Sequence, residues 1–376
     1  MSAVFLTGGT GVVGSAIARR LLEDRETRVV LLIRARTDQD AQERLQGLLR
    51  FWKLPDARVA ANIEIARGDA SLPRFGLERE RFQRVAGECT RIIHCAALVR
   101  MNLPLADARA SAVSAAENVL ELARASRRAG RLEKVEFLST VGVGGTRPGV
   151  LPERWITESR GYHNTYEQAK AEAEIVVAGG VAEGLPITVH RPSMVVGDSR
   201  TGGIIRFQIF YHLVEFLSGR RTFGLLPAFG ATRLDIVPVD YVAETVVWSS
   251  GRPDAGGRVL HLCSGPEGSV RLDELHSRVR DSFVAAGLDV PRPFSIPPGF
   301  LKATIPVIRA LLPGPGRRSL STLPIFLAYL SSDQGFANAE TIRILGGAGI
   351  PLPPVESYLG KVLDHYLRAK PVEPRM

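Results

Sequence analysis

Residues 3–17 read Ala3–Val4–Phe5–Leu6–Thr7–Gly8–Gly9–Thr10–Gly11–Val12–Val13–Gly14–Ser15–Ala16–Ile17, and this stretch decides the fold. Ala3–Leu6 is an apolar run of strand length, and Gly11–Glu23 carries the spacing of a helix. Between them the glycines satisfy two patterns at once: G-x-x-G-x-x-G through Gly8, Gly11 and Gly14, and G-x-G-x-x-G through Gly9, Gly11 and Gly14. Glycines permit a tight turn and close approach of backbone to a pyrophosphate. The N-terminus of the following helix adds free N–H groups and the positive end of its dipole. A Gly-rich turn without a ligand is the plain alternative; its position between strand and helix argues for a dinucleotide. Thr7, Gly8, Gly9, Thr10, Gly11, Val12, Val13 and Gly14 are the first cofactor-binding candidates.

The same rhythm continues outward from the loop. Arg28–Ile33, Ile63–Ala66, Arg91–Cys95, Val135–Ser139 and Ile187–His190 read as apolar strands. Helical patterns near Asp40–Leu49, Ala106–Ala129 and Thr165–Ala178 alternate with them. Near-continuous apolar strands separated by helices predict an α/β fold, a Rossmann-type doubly wound parallel sheet covered on both faces. The second strand runs into Arg34–Ala35–Arg36 with no carboxylate at its end. An NAD site usually places Asp or Glu there for the ribose 2′-hydroxyl, whereas guanidinium groups suit a 2′-phosphate. NADPH is therefore expected in preference to NADH, with Arg34 and Arg36 as candidates for the phosphate.

Past residue 197 glycines and prolines break the alternation, around an apolar helix at Ile204–Leu217 and a strand at Leu234–Pro238. The expected division is a NADP-binding domain over 1–197, with 234–262 returning to it. A smaller, mainly helical C-terminal substrate domain would take 198–233 and 263–376.

The chain has 376 residues, 45% hydrophobic and 23% charged, which excludes fibrous and wholly disordered classes. Its net charge of +9 is spread along the chain beside acidic residues, as in Glu78–Arg79–Glu80–Arg81. That is a solvated surface rather than a nucleic-acid stripe. Cys89, Cys95 and Cys263 show neither a disulfide framework nor metal-ligand spacing, so no metal site is expected. With no targeting segment and no run of about 18 apolar residues, the expected location is cytoplasmic.

Tyr166 and Lys170 stand four apart, on one helix face. A phenol titrates near 10, and a neighbouring ammonium lowers that value by favouring the phenolate, which suits acid–base work. A half-buried Tyr on an amphipathic surface helix is the plain reading. Upstream, Ser139–Thr140 closes a predicted strand at the edge where such sheets bind ligands. Thr140 there would donate a hydrogen bond to a carbonyl.

Glycine loop, strand-end hydroxyl and Tyr-x-x-x-Lys, in that order, resemble the extended short-chain dehydrogenase/reductase superfamily. Arg67–Gly68–Asp69, Ile93–His94–Cys95–Ala96–Ala97, His190–Arg191–Pro192–Ser193 through Gly197, and Val237–Pro238–Val239–Asp240–Tyr241–Val242 are similar to further family segments. Within the superfamily the chain resembles the thioester reductase and fatty acyl-CoA reductase branch, in Leu32–Arg36, Gly68–Asp69 followed by Pro73–Leu77, Tyr166–Glu174 and Val196–Gly202. The resemblance implies cofactor contacts at Asp69, Ala70, Cys95, Ala96, Ala97, Lys170, Pro192, Ser193 and Met194, and a catalytic set of Thr140, Tyr166 and Lys170. The usual Asn of the helix after the H-x-A-A strand is Ala112 here, with Ser111 and Ser114 beside it.

The implied chemistry is hydride transfer from NADPH to a carbonyl carbon. Thr140 and Tyr166 stabilise the oxygen, Tyr166 supplies the proton, and Lys170 holds the nicotinamide ribose. The carbonyl would belong to an acyl thioester, on CoA or a carrier protein met as a separate partner, giving an aldehyde and, after a second hydride, an alcohol. The alternatives are a ketone or aldehyde reductase, a nucleotide-sugar epimerase or dehydratase, and a non-catalytic dinucleotide sensor. Two C-terminal apolar stretches, Ile305–Leu312 and Leu323–Leu330, would line an acyl tunnel, form the second domain's own core, or make a homodimer interface. Peripheral membrane contact through Arg317 and Arg318 is a further reading.

Overall fold

Strand β1, Ser2–Thr7, is the centre from which the sheet grows in both directions in the computed structural model, which describes residues 2–53, 61–99, 101, 103–220, 222–296 and 334–369. It pairs in parallel with β2, Thr27–Ile33, and with β4, Arg91–His94. Strand β3, Ile63–Arg67, extends the first side; β5, Lys134–Leu138, β6, Ile187–Pro192, and β7, Val259–Leu262, extend the second. The order is β7-β6-β5-β4-β1-β2-β3, parallel throughout. Chain direction across the sheet reverses between β1 and β4, which opens a crevice at their carboxyl ends.

Alternation along each strand feeds two cores. Ala3, Phe5, Val30, Leu32, Ala66, Ile92, Val135, Phe137, Ile187 and Val189 meet three helices on one face. These are α3, Arg79–Glu88, α5, Ala115–Arg128, and α6, Thr165–Ala182. Val4, Leu6, Val29, Leu31, Ile33, Ile93 and Leu138 meet α1, Val12–Leu21, α2, Asp38–Trp52, and α8, Val239–Ser250, on the other. Phe5 and Phe137 are essentially solvent-free, and each such side chain contributes about 1.5–3 kcal/mol by leaving water.

Three stretches differ from the sequence expectation. Ala106–Ala129 is not one helix: α4, Leu105–Arg109, joins α5 through a π turn at Ala110–Ser114. Helix α7, Ile209–Leu217, starts later than the expected Ile204; just ahead of it Phe207 seats against Tyr211 and Tyr366, ring centroids 4.7 and 4.9 Å away. The expected strand Leu234–Pro238 is split into Arg233–Leu234 and Ile236–Pro238. Asp235 breaks it by accepting hydrogen bonds from the Ser264 and Gly265 N–H groups at 2.8 and 2.9 Å.

A separate apolar cluster joins α7 to α9, Leu272–Ala285, and α10, Val355–Ala369. Val12, at the start of α1, packs into it, so this cluster borders the glycine loop. The stretches Ile305–Leu312 and Leu323–Leu330, with Arg317 and Arg318, lie outside the described residues. Among the described residues, no helix is long and apolar enough to cross a membrane, and no cluster of three or more His, Cys, Asp or Glu forms a metal cage.

Candidate active site

Packing dictates the glycine loop. Gly8 has φ +73°, and a Cβ on it would stand 2.5 Å from the Ala96 nitrogen; a Cβ on Gly14 would stand 2.2 Å from the Gly8 carbonyl oxygen. Both positions therefore exclude side chains. The Gly11 N–H closes the turn on the Gly8 carbonyl at 2.8 Å. No side chain caps α1 at Gly11, and its first turn holds no acid, so the opening N–H groups are available to an anion.

Gly8, Gly11, Val12, Val13 and Gly14 form one end of a cavity of about 530 Å³. The ends of β4, β5 and β6 contribute Cys95, Thr140 and Ser193, while Tyr166 and Lys170 enter from α6. Gln208, Ile209, Leu234, Asp235 and Phe336 also line it. Ala97, Pro192 and Met194 also border it. A second cleft, of about 770 Å³, opens beyond β2 and β3 between Arg34, Arg67 and Asp69. Arg34 Nη1 stands 3.7 Å from Asp69 Oδ2, and Asp69 Oδ1 accepts from the Ser71 N–H and hydroxyl at 2.9 and 2.8 Å.

Helix α6 is started by Asn164, whose Oδ1 accepts the Glu167 N–H at 3.0 Å. Tyr166 thus enters the cavity from the first turn and Lys170 from the second. Thr140 hydrogen-bonds the Tyr166 phenol and also accepts the Gly142 N–H at 3.1 Å. Lys170 Nζ donates to the Leu138 carbonyl at 2.6 Å and lies 4.9 Å above the Phe137 ring.

Electrostatics differ from expectation at the phenol. Burial, seconded by the Glu167 carboxylate, pushes Tyr166 up to about 12, against a lowering hydrogen bond from Thr140. The Lys170 ammonium is directed to the Leu138 carbonyl. Burial brings Lys170 itself down to about 8, with Glu174 opposing. The resting phenol is thus fully protonated, in the state needed to give a proton.

Six predicted cofactor residues line neither cavity. The Thr7 hydroxyl is buried, held at 2.8 Å to His94 Nδ1 and accepting the Ala96 N–H at 3.3 Å; Ala96 itself packs against the core beneath. Gly9 faces the core, where a Cβ would meet the Leu31 side chain. Ala70 lies behind the second cleft, its carbonyl held by Asn118 Nδ2 at 2.9 Å. Thr10 sits on the loop outside both cavities, as does the exposed Arg36, whose carbonyl accepts from Arg67 at 3.2 Å. Ser111, a stand-in for the missing Asn, takes the Leu98 N–H at 3.0 Å, while Ala112 is buried. Sequence reasoning missed His163, Asn118 and Asp235. Only His163 carried a signal, a scarce residue type (seven in the chain) three places before Tyr166.

Comparison with known proteins agrees with this geometry. A family profile described as male sterility protein, with NAD binding in its name, matches residues 6–246. A linear gramicidin synthase component of Brevibacillus parabrevis is 26% identical over 97% of this chain and 7% of its own length. The L-2-aminoadipate reductase large subunit of Penicillium chrysogenum is 31% identical over 70% of this chain and 19% of its own length. This chain therefore spans under a fifth of either relative. The terminal R domain of the myxalamid PKS-NRPS pathway superposes with TM-score 0.82 at 27% identity, covering 98% of this chain and 91% of that one.

Proposed function

The chain belongs to the NAD-binding male sterility protein family, on the thioester reductase branch of the extended short-chain dehydrogenase/reductases, and on that premise we propose that it reduces an acyl thioester to an aldehyde with NADPH. It is an oxidoreductase that uses a nicotinamide dinucleotide. One observation carries the reading: Thr140, Tyr166 and Lys170 border the same cavity as the glycine loop, and Met101, Ile209, Leu234 and Phe336 give that cavity apolar surface beside its polar lining. That apolar surface suits an acyl chain.

The uncapped α1 terminus and the glycines would hold the pyrophosphate, Lys170 the nicotinamide ribose, and Arg34 the 2′-phosphate. The reduced dinucleotide supplies the hydride. Thr140 and Tyr166 donate hydrogen bonds to the carbonyl oxygen as charge develops there, and Tyr166 gives it a proton. We assign 1–197 and 234–262 to the dinucleotide and 198–233 and 263–376 to the substrate. Gln208 and Ile209 on the cavity wall, with Pro266 and Phe336, support that division. The acyl group would arrive on CoA or on a carrier protein, a partner class suggested by the synthase relative.

The test incubates the whole chain and NADPH with acyl-CoA thioesters, ketones and nucleotide sugars. One free thiol released per NADPH oxidised, with the aldehyde trapped, is the expected result. Consumption with ketones alone, or with no thioester, overturns the reading.

A further inference from the structure

We propose that Phe336 sets the width of the acyl group this site accepts, and that His261, on the edge strand of the sheet, is the residue that positions it; the inference deepens the thioester reading above and rests on it. Two short strands, Val150–Leu151 and Gly335–Phe336, pair in parallel and border the cavity. Gly149 and Gly335 offer the cavity no side chain; Val150 and Phe336 do, and Phe336 is the larger. Phe336 also packs against the apolar cluster of Val143, Leu151, Ile156 and Ala171. It thus borders the acyl space while the protein beside it holds it, the place from which one ring decides which shapes enter.

Ala337, next along the chain, is fixed through both of its backbone polar groups. Its N–H donates to the Leu151 carbonyl at 2.9 Å, and its carbonyl stands 2.8 Å from His261 Nδ1. His261 lies on β7, at the edge of the sheet, and is fully buried. Its other ring nitrogen, Nε2, is 3.2 Å from Arg191 Nη1. A guanidinium only donates, so Nε2 accepts, and the ring proton sits on Nδ1, where it serves the Ala337 carbonyl. Burial and the Arg191 charge hold His261 down at about 3, so the ring stays neutral and keeps that tautomer. Arg191 in turn holds Glu174 on α6, at 2.9 and 2.6 Å. A continuous line of hydrogen bonds therefore runs from the helix of Tyr166 and Lys170, through Arg191 and His261, to the segment that carries Phe336.

Further contacts tie the chain beyond Ala337 to the sheet edge, where a strand leaves backbone groups to be satisfied. The His261 N–H donates to the Thr341 hydroxyl at 3.0 Å, and Asn338 Nδ2 donates to the Cys263 carbonyl at 2.8 Å. The Glu153 carboxylate accepts the Glu340 and Thr341 N–H groups at 2.8 and 2.9 Å, in the first turn of the helix Ala339–Gly347. Closer to the ring, the Cys263 thiol approaches the Phe336 carbonyl at 3.7 Å, a weak donor at long range. The short side-chain bond to the peptide beside Phe336 is the one from His261.

The experiment measures kcat/KM of the whole chain on octanoyl-CoA and on the wider cyclohexylacetyl-CoA, with NADPH binding by fluorescence, for Phe336→Ala, Phe336→Trp, His261→Gln and His261→Asn. A Gln amide reaches where Nε2 stood and keeps the Arg191 bond; an Asn amide reaches where Nδ1 stood and keeps the Ala337 bond. Phe336→Ala should raise the ratio of wide to slender substrate at least about tenfold. Phe336→Trp, which leaves every one of these bonds in place, should lower it. His261→Gln should raise it at least about fivefold while His261→Asn stays within about twofold of wild type, and adding Phe336→Ala to His261→Gln should raise it no further than Phe336→Ala alone. NADPH affinity should hold throughout. A ratio unmoved by either Phe336 variant overturns the width role. Equal ratios in the two His261 variants, or a loss that is the same on both thioesters, overturn the positioning role. A wild-type protein inert toward both thioesters overturns the reductase reading itself, and this inference with it.

Discussion

The Arg191 guanidinium grips the Glu174 carboxylate fork to fork, Nε to Oε1 at 2.9 Å and Nη2 to Oε2 at 2.6 Å, with both side chains buried. Glu174 is one helical turn beyond Lys170, and Arg191 stands next to Pro192, the last residue of β6. The pair therefore ties the helix that carries Tyr166 and Lys170 to the strand that borders the cavity. Arg191 Nη1 also reaches the Arg154 carbonyl at 3.0 Å and His261 at 3.2 Å. Removing one partner leaves a buried charge unpaired. Glu174→Ala is expected to lose about 3–5 kcal/mol of unfolding free energy. The double variant Glu174→Met with Arg191→Met should lose clearly less. Urea denaturation of the three proteins checks both statements, and a Glu174→Ala loss below about 1 kcal/mol contradicts them.

Tyr166→Phe removes the hydroxyl and little else. Thr140 keeps its bond to the Gly142 N–H, and the glycine loop is untouched. Turnover should fall about 100- to 10,000-fold while NADPH affinity stays within about twofold. Steady-state rates paired with a binding titration make the comparison. A dinucleotide sensor would show no change in either.

The parallel strands were legible because burial on both faces makes them apolar throughout: Val29–Ile33 and Ile92–Ile93 need no alternation to be seen. Helix α3, Arg79–Glu88, was not legible, since it buries only Phe82, Val85 and Ala86 among charged neighbours. The π turn at Ala110–Ser114 left no trace in an Ala-rich run, where no Gly or Pro interrupts the helical pattern. At the site, Tyr166 and Lys170 are related by helical spacing alone and could be found. His163 lies before the helix and is brought in by the Glu167 carboxylate. Asn118 reaches Ala70 across 48 positions. Contacts of that kind depend on tertiary packing, which local periodicity does not encode.

Gly11 and Gly14 should separate when each becomes Ala. A Cβ at Gly14 strikes the Gly8 carbonyl oxygen at 2.2 Å, so the loop itself must open. A Cβ at Gly11 meets only that oxygen, at 3.1 Å, and otherwise points into space. Gly11→Ala is expected to unfold within about 1 kcal/mol of wild type yet lose NADPH binding at least about tenfold. Gly14→Ala should lose both. Thermal melts and cofactor titrations on the two variants decide it. Equal behaviour would mean that no ligand occupies the space beside Gly11.

The buried Lys170 makes a pH prediction whose sign follows from its lowered value of about 8. An unfolded lysine titrates near about 10.4. Between these limits the unfolded chain holds more protons, so this residue's contribution to stability rises with pH and levels off above about 10. The thiols of Cys89, Cys95 and Cys263, all pushed up by burial, act in the opposite sense. The observable is therefore the difference between wild type and Lys170→Met. From about pH 7.5 to about pH 10 the wild type should gain on the variant by up to about 3 kcal/mol, read from urea midpoints. A difference that stays flat or falls would place the lysine in water.

Arg34 and Arg36 are equal candidates for the 2′-phosphate by sequence, and the structure separates them. Arg34 borders the cleft beyond β2, facing Asp69 at 3.7 Å. Arg36 lies outside that cleft and engages Arg67 through its backbone carbonyl. Asp69 is further occupied by Ser71, which leaves Arg34, 62% exposed and lightly paired, able to turn toward an incoming phosphate. A guanidinium on a phosphate makes charge-assisted bonds that a hydroxyl cannot match. Arg34→Ala should therefore raise the Kd for NADPH about 10- to 100-fold and leave that for NADH nearly unchanged. Arg36→Ala should alter neither by more than about threefold. Paired titrations with both dinucleotides settle the assignment. A larger NADPH loss in Arg36→Ala would mean that the 2′-phosphate sits at the loop after β2 and not in the cleft.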